Sequence, residues 1–142
     1  MEKDEELLNY IYQNAKMGIV GIDNIKNEIK DEELLSTIRE QQKDYYEICN
    51  KATKILLENN CDIKDVSGIA KLMTYFDVKL NTLDNKSNTN IAKMMMKGSN
   101  KGIIEIQEKI NNYEGADKKV ISLAKELLRI EKRNLDNLKK FL

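Results

Sequence analysis

Histidine, proline and tryptophan are absent from the 142 residues, cysteine occurs only twice and glycine six times. With no imidazole, the Ser-His-Asp and Cys-His arrangements of nucleophilic catalysis are excluded, and so is every histidine metal ligand. The missing proline removes the strongest helix breaker and suits long helices. Cys49 and Cys61 form neither a C-x-x-C motif nor a disulfide framework; Cys49 falls mid-helix beside an apolar stripe, and a structural role is expected for both. No glycine-rich phosphate loop is present. Lys+Arg and Asp+Glu number 24 each, and no basic stripe stands out, which argues against nucleic acid as a partner. No apolar run approaches the roughly 18–20 residues that span a bilayer. The acidic start Met1-Glu-Lys-Asp-Glu-Glu lacks an apolar h-region, which predicts no signal peptide and a cytoplasmic location. The abundance of Lys, Asn and Ile leans towards a bacterial source.

What is there is helical periodicity. Leu8, Ile11, Ala15, Gly18, Ile22, Ile25 and Ile29 alternate spacings of three and four, the seam of an amphipathic helix. With Asp4 as N-cap, this predicts a first helix over 4–29. A tight joint at Lys30-Asp31 leads to a second helix over 31–59, with Leu34, Ile38, Gln41, Tyr45, Ile48, Ala52 and Ile55 as its seam and Asn59-Asn60 as its stop. So short a joint forces the two to lie antiparallel. Near the C-terminus, Asp117 caps a helix over 117–141 with the seam Ile121, Ala124, Leu128, Glu131, Leu135, Leu138 and Leu142.

Between Ser67 and Asn112 only the polar stretch from Asp84 to Asn90 interrupts the pattern. Splitting there gives a helix over 88–113, capped by Ser87 or Asn88, matched in length to the other three at about 40 Å. The remainder holds a shorter amphipathic helix over 67–84, with Ile69, Leu72, Met73, Phe76, Leu80 and Leu83 on one face. The expectation is an all-α single domain over 1–142: two antiparallel hairpins joined by a long crossover that contains the shorter helix. Met73, Phe76 and Leu80 offer more apolar surface than a solvated connector needs. That face would either cover the rest of the fold or pair two copies of the chain as a homodimer, with pairing favoured. Gly18-Ile19-Val20-x-Ile22 matches Gly102-Ile103-Ile104-x-Ile106 at an offset of 84. A mid-helix glycine costs about 1 kcal/mol against alanine, so its reuse at matching places, with Gly98 nearby, suggests a close approach of the first and third long helices.

The two hairpins, the helical crossover and the segment Asn81-Thr-Leu-Asp-Asn-Lys-Ser-Asn-Thr-Asn-Ile-Ala-Lys-Met-Met-Met-Lys-Gly-Ser-Asn-Lys-Gly-Ile-Ile-Glu-Ile106 together resemble an uncharacterised, clostridial-type branch of the rubrerythrin and ferritin-like superfamily. The likeness covers essentially the whole chain and rests on packing motifs. It implies a ferritin-like four-helix bundle. Active members hold a di-iron centre with a Glu on the first and third helices and Glu-x-x-His on the second and fourth; residues three apart share a helix face, so carboxylate and imidazole reach one ion together. Carried onto this sequence, the second-helix pair falls on Gln42 and Tyr45 and the fourth-helix pair on Glu131 and Asn134. The antiparallel level of Gln42 on the first helix is Ile19, and the repeat offset places Ile103 on the third. A slip of one turn substitutes Lys16 and Asn100. These vestigial positions offer one carboxylate and no imidazole, so neither a metal nor another cofactor is expected.

Other motifs have ordinary readings. Met94-Met95-Met96 point in three directions around a helix and cannot converge on one ion, so core filling is expected. Tyr45 and Tyr46 read as half-buried tyrosines. Glu131 is different: a carboxylate on a core seam is costly unless paired, and either Lys16, about a turn from its level, is its partner or the carboxylate sits in a water-filled or helix-edge place. No catalytic constellation is present. The sequence therefore points to a non-enzymatic scaffold or protein-interaction module, with an atypical metal-binding oxidase or storage protein, or a small-ligand carrier using the vestigial site, as alternatives.

Overall fold

The computed structural model describes residues 2–65, 69–81, 83, 85–115 and 117–142, without the side chains of residues 2, 69, 70, 72 and 73. Among the described residues every regular element is helical. In chain order these are α1 (Glu2–Ile25), α2 (Glu32–Glu58), α3 (Ile69–Asn81), α4 (Asn88–Asn111) and α5 (Lys118–Leu138), with 3-10 turns at Lys26–Glu28 and Lys139–Phe141.

The ends of the helices follow local chemistry. Asp31 Oδ1 accepts from the Leu34 amide at 2.8 Å, Ser87 Oγ from the Asn90 amide at 3.2 Å and Asp117 Oδ1 from the Lys119 amide at 2.8 Å, each satisfying a donor that the helix leaves orphaned. Asn60, at φ 54°, ends α2 in the left-handed region, which asparagine tolerates better than most residues. Asp4 does not cap α1. The helix begins at Glu2, and the buried Asp4 side chain instead accepts from the Tyr113 hydroxyl. The first helix also gives way earlier than its periodicity predicts, tightening to a 3-10 turn after Ile25 so that the extended Ile29 can enter the joint. The crossover helix is described over Ile69–Asn81; residues 67, 68, 82 and 84 of the expected 67–84 lie outside the described residues.

α1 packs on α2, α4 on α5, and α5 also on α1 and α2, while α3 lies on α1. Gln42 bonds to the Ile19 carbonyl and Cys49 to the Tyr12 carbonyl; as one index rises the other falls, so α1 and α2 are antiparallel. One cluster of buried apolar residues draws on all five helices. The first and second seams lie in it as the periodicity predicts, apart from half-buried Gly18 and Ile55 and the buried but polar Gln41. The α5 seam is rotated. Val120, Leu123, Leu127 and Ile130 are buried beside Ala124, Glu131 and Leu138, while Ile121, Leu128 and Leu135 are half-buried and Leu142 is exposed. The cause is that α5 packs on three helices and buries a broad arc, wider than a two-helix seam.

α3 turns its Phe76 and Leu80 inward. Leu80 is buried in the common core, and the Phe76 ring lies over Gly21, where an added Cβ would stand 3.0 Å from it. These two residues therefore lie against α1 within one chain, in line with the covering alternative for this face. The Met73 side chain lies outside the described residues. Tyr75 and Val78 are exposed on the outer side of α3.

Candidate functional site: a polar cluster beneath a glycine-lined cavity

Glu131 is 3% exposed, although it is ionisable, and sits on α5 between buried Ile130 and Asn134. The Tyr45 hydroxyl of α2 donates to its Oε1. Asn134 Nδ2 in turn donates to that hydroxyl at 3.2 Å, and Ser99 of α4 hydrogen-bonds to both Tyr45 and Glu131. One turn of α5 thus presents Glu131 and Asn134 on one face, as residues three apart must be, and α2 and α4 each supply one hydroxyl. Burial pushes the Glu131 carboxyl up to about 7, against the opposing pull of the Tyr45 and Ser99 hydrogen bonds. The Tyr45 hydroxyl is raised well above its ordinary value by burial and by Glu131. Asn134 Oδ1 is the one fully buried side-chain oxygen or nitrogen without a hydrogen bond among the described residues.

Of the six positions carried over from the resemblance, Tyr45, Glu131 and Asn134 come together here. Gln42 turns away from them, donating to the Ile19 carbonyl at 3.1 Å and to Asp23 at 2.8 Å. The buried Ile19 contributes that carbonyl, and Ile103 is half-buried and takes no part in the cluster. Lys16 and Glu131 do not pair. Lys16 acts on Asp23 and Cys49, which places it on the side of α1 that faces α2, and no cation among the described residues acts on Glu131. The pairing fails because a level along the axis says nothing about the angle around it, and Lys16 points the wrong way. Cys49 is buried and Cys61 half-buried, both as free thiols; burial pushes the Cys49 thiol up to about 11.

Beneath this cluster opens a cavity of about 390 Å³, bounded by α1, α3 and α4, with Tyr45, Gln41 and Glu131 at its inner end. Its walls are apolar, with Met17, Ile22, Phe76 and Met94 among them, and Met17, Tyr75 and Lys101 at its rim are exposed. Four glycines make the room. Gly18, Gly21, Gly98 and Gly102 all line it. At Gly102 an added Cβ would lie 3.0 Å from Glu131 Oε2 and 3.6 Å from Asn14 Nδ2, so the carboxylate rests on bare backbone. At Gly18 it would strike the Tyr45 ring. The matched glycines therefore admit side chains and a cavity, and their neighbour at Gly18 is α2 rather than the third long helix. Gly98 has nothing within 4 Å of its missing Cβ and is exposed. Gly98→Ala is accordingly expected to stabilise the protein by about 0.5–1 kcal/mol, the helix-propensity gain alone, measured as a higher urea midpoint with unchanged slope.

Ser99 and Asn14 were not singled out from the sequence, and Gln41 only as a seam residue. Gln41 donates to the Asn134 carbonyl at 3.4 Å, and Asn14 to the Tyr10 hydroxyl at 3.5 Å, which in turn donates to Glu105 at 3.0 Å. Their signal was present in the sequence: Ser99 lies between the two α4 glycines, and Gln41 and Asn14 stand on or next to the α2 and α1 seams.

The arrangement does not fit the di-iron centre held by active members of the superfamily that the sequence resembles. Such a centre draws carboxylates from four helices, whereas here one carboxylate faces a tyrosine hydroxyl, a serine and an asparagine. No group of three His, Cys, Asp or Glu side chains with metal-holding geometry occurs among the described residues. No described helix is long and apolar enough to cross a membrane. Compared with protein-family models, curated proteins and solved structures, the chain shows no match.

Proposed function

We propose that the chain is a non-enzymatic, ferritin-like four-helix bundle that holds a small, mostly apolar ligand where the superfamily places its metal. The observation that carries this reading is the cavity of about 390 Å³, apolar along its walls and polar at its closed end. Ligand sites are typically concave, roughly 300–1,000 Å³, and lined by apolar side chains with a few convergent polar groups. The Tyr45 hydroxyl is held far from ionisation by burial and by Glu131, which favours a hydrogen-bonding role for it over a nucleophilic one. Of the readings open from the sequence, this is the small-ligand carrier. A protein-interaction role is the second reading, favoured by Tyr75 and Val78, exposed side by side on α3.

n-Octanol, titrated by calorimetry into the purified protein, tests the cavity. One molecule should bind per chain, and Gly98→Phe, which projects a ring into the open space at Gly98, should weaken binding at least tenfold while thermal unfolding stays cooperative. Equal binding by both proteins, or binding by neither, overturns the reading.

A further inference from the structure

We propose that the ligand is a small organic cation, an alkylammonium or a related amine, whose head group pairs with Glu131 while its apolar part lies along Met17, Ile22, Phe76 and Met94. The inference rests on the cavity being a ligand site and adds the chemistry of the occupant.

Three features of the geometry lead to it. Glu131 is the single charged side chain at the closed end of the cavity, and its Oε2 lies over the Cβ-less backbone of Gly102, with the Asn14 amide nearby. A larger residue at position 102 would close off this face of the carboxylate. Secondly, the neighbours of Glu131 hold it in place without neutralising it. Tyr45 and Ser99 hydrogen-bond to it, yet no lysine or arginine among the described residues acts on it, and Lys16 faces the other way. A buried carboxylate lacking a cation is costly, and a cationic ligand offsets that cost only when it is bound. Thirdly, the charge around the rest of the cavity does not favour an anion. Its lining holds Glu105 and Glu131 against one cation, Lys101, which is exposed and lies 3.9 Å from Glu105. A fatty acid or a phosphate would meet carboxylate at the closed end and find no fixed positive charge there.

Aromatic cages commonly assist cation binding. Here Tyr45 and Tyr75 line the cavity from α2 and α3, but hydrogen bonding to the carboxylate distinguishes a primary ammonium from a quaternary one. The head group must donate, because an ionised carboxylate oxygen such as Oε2 only accepts.

The test compares three probes of one chain length, n-octylammonium, n-octanol and n-octanoate, by calorimetry at about pH 8 on wild type and Glu131→Gln. Octylammonium should bind wild type at least about tenfold more tightly than octanol, the worth of one charge-assisted hydrogen bond. Octanoate should bind most weakly of the three. In Glu131→Gln the preference for ammonium should vanish while octanol binding persists. Octanol binding without an ammonium preference in wild type, or a preference that survives Glu131→Gln, overturns the cation assignment and leaves the cavity reading standing. Binding of none of the three overturns both.

Discussion

Glu131→Gln is expected to stabilise the protein at about pH 8 by about 3 kcal/mol and to raise its melting temperature by roughly 10 °C. The carboxyl is raised from an ordinary 4.5 to about 7, mainly because burial penalises its charged form. Between those two values the folded chain holds a proton that the unfolded chain has released. The unfolded state then binds fewer protons, so stability falls as pH rises from about 4.5 through about 7 and levels off above. Each pH unit of that window is worth about 1.4 kcal/mol. Glutamine has the same shape, keeps an oxygen to accept from Tyr45 and carries no charge at any pH, so it escapes the loss. Urea unfolding at about pH 4.5, 6, 7 and 8 checks this. The two proteins should lie close together at the acid end and separate progressively up to about pH 7. A gap that stays constant with pH, or a variant weaker than wild type at pH 8, would show that Glu131 is ionised and well accommodated in the folded chain. Lys16→Met is the control: because Lys16 acts on Asp23 and Cys49 rather than on Glu131, it should leave the fall in stability between about pH 6 and 8 unaltered.

The all-helical fold was legible because its two signals are local. Three-and-four spacing marked the buried faces of α1 and α2 almost residue by residue, and Asn60, Ser87 and Asp117 marked where helices stop and start. What was not legible depended on angle about a helix axis and on neighbours distant in sequence. The α5 stripe was placed one position too far along because a periodic pattern gives the centre of a narrow seam, whereas this helix is buried against three others. Asp4 had the residue type of a cap but is engaged by Tyr113, 109 positions away. At the site, the pattern carried over from the resemblance falls on Tyr45, Glu131 and Asn134, and the structure brings those three together; Gln42 from the same pattern, Ile19 from its antiparallel level and Ile103 from the repeat offset take no part in that cluster, and neither does Lys16. The cavity was the larger omission. Gly18, Gly98 and Gly102, three of the four glycines that line it, suggest from the sequence a place where backbones meet, yet a missing side chain equally leaves room for something else, and sequence does not distinguish the two.

Gly18→Val is expected to cost about 3 kcal/mol, the opposite sign from Gly98→Ala, although both replace a mid-helix glycine. A Cβ at position 18 would lie 2.6, 2.7 and 2.9 Å from Cε2, Cδ2 and Cζ of Tyr45. Those are ring atoms rather than the end of a flexible chain, and the ring is held at its far end by Glu131 and Asn134. It cannot retreat without breaking hydrogen bonds made by a hydroxyl that is itself buried. Overpacking of this kind typically costs about 1–3 kcal/mol, and a buried polar group deprived of its partner adds roughly 1–3 kcal/mol. The gain from removing a helical glycine, at most about 1 kcal/mol, offsets only part. If the damage runs through the tyrosine, Gly18→Val combined with Tyr45→Leu should cost clearly less than the two single changes added together, because the smaller, unanchored side chain can yield. Urea unfolding of the four proteins in that cycle decides it. Strict additivity would mean that position 18 and the Tyr45 ring are independent, and a stabilised Gly18→Val would mean that the ring is not held where its hydrogen bonds place it.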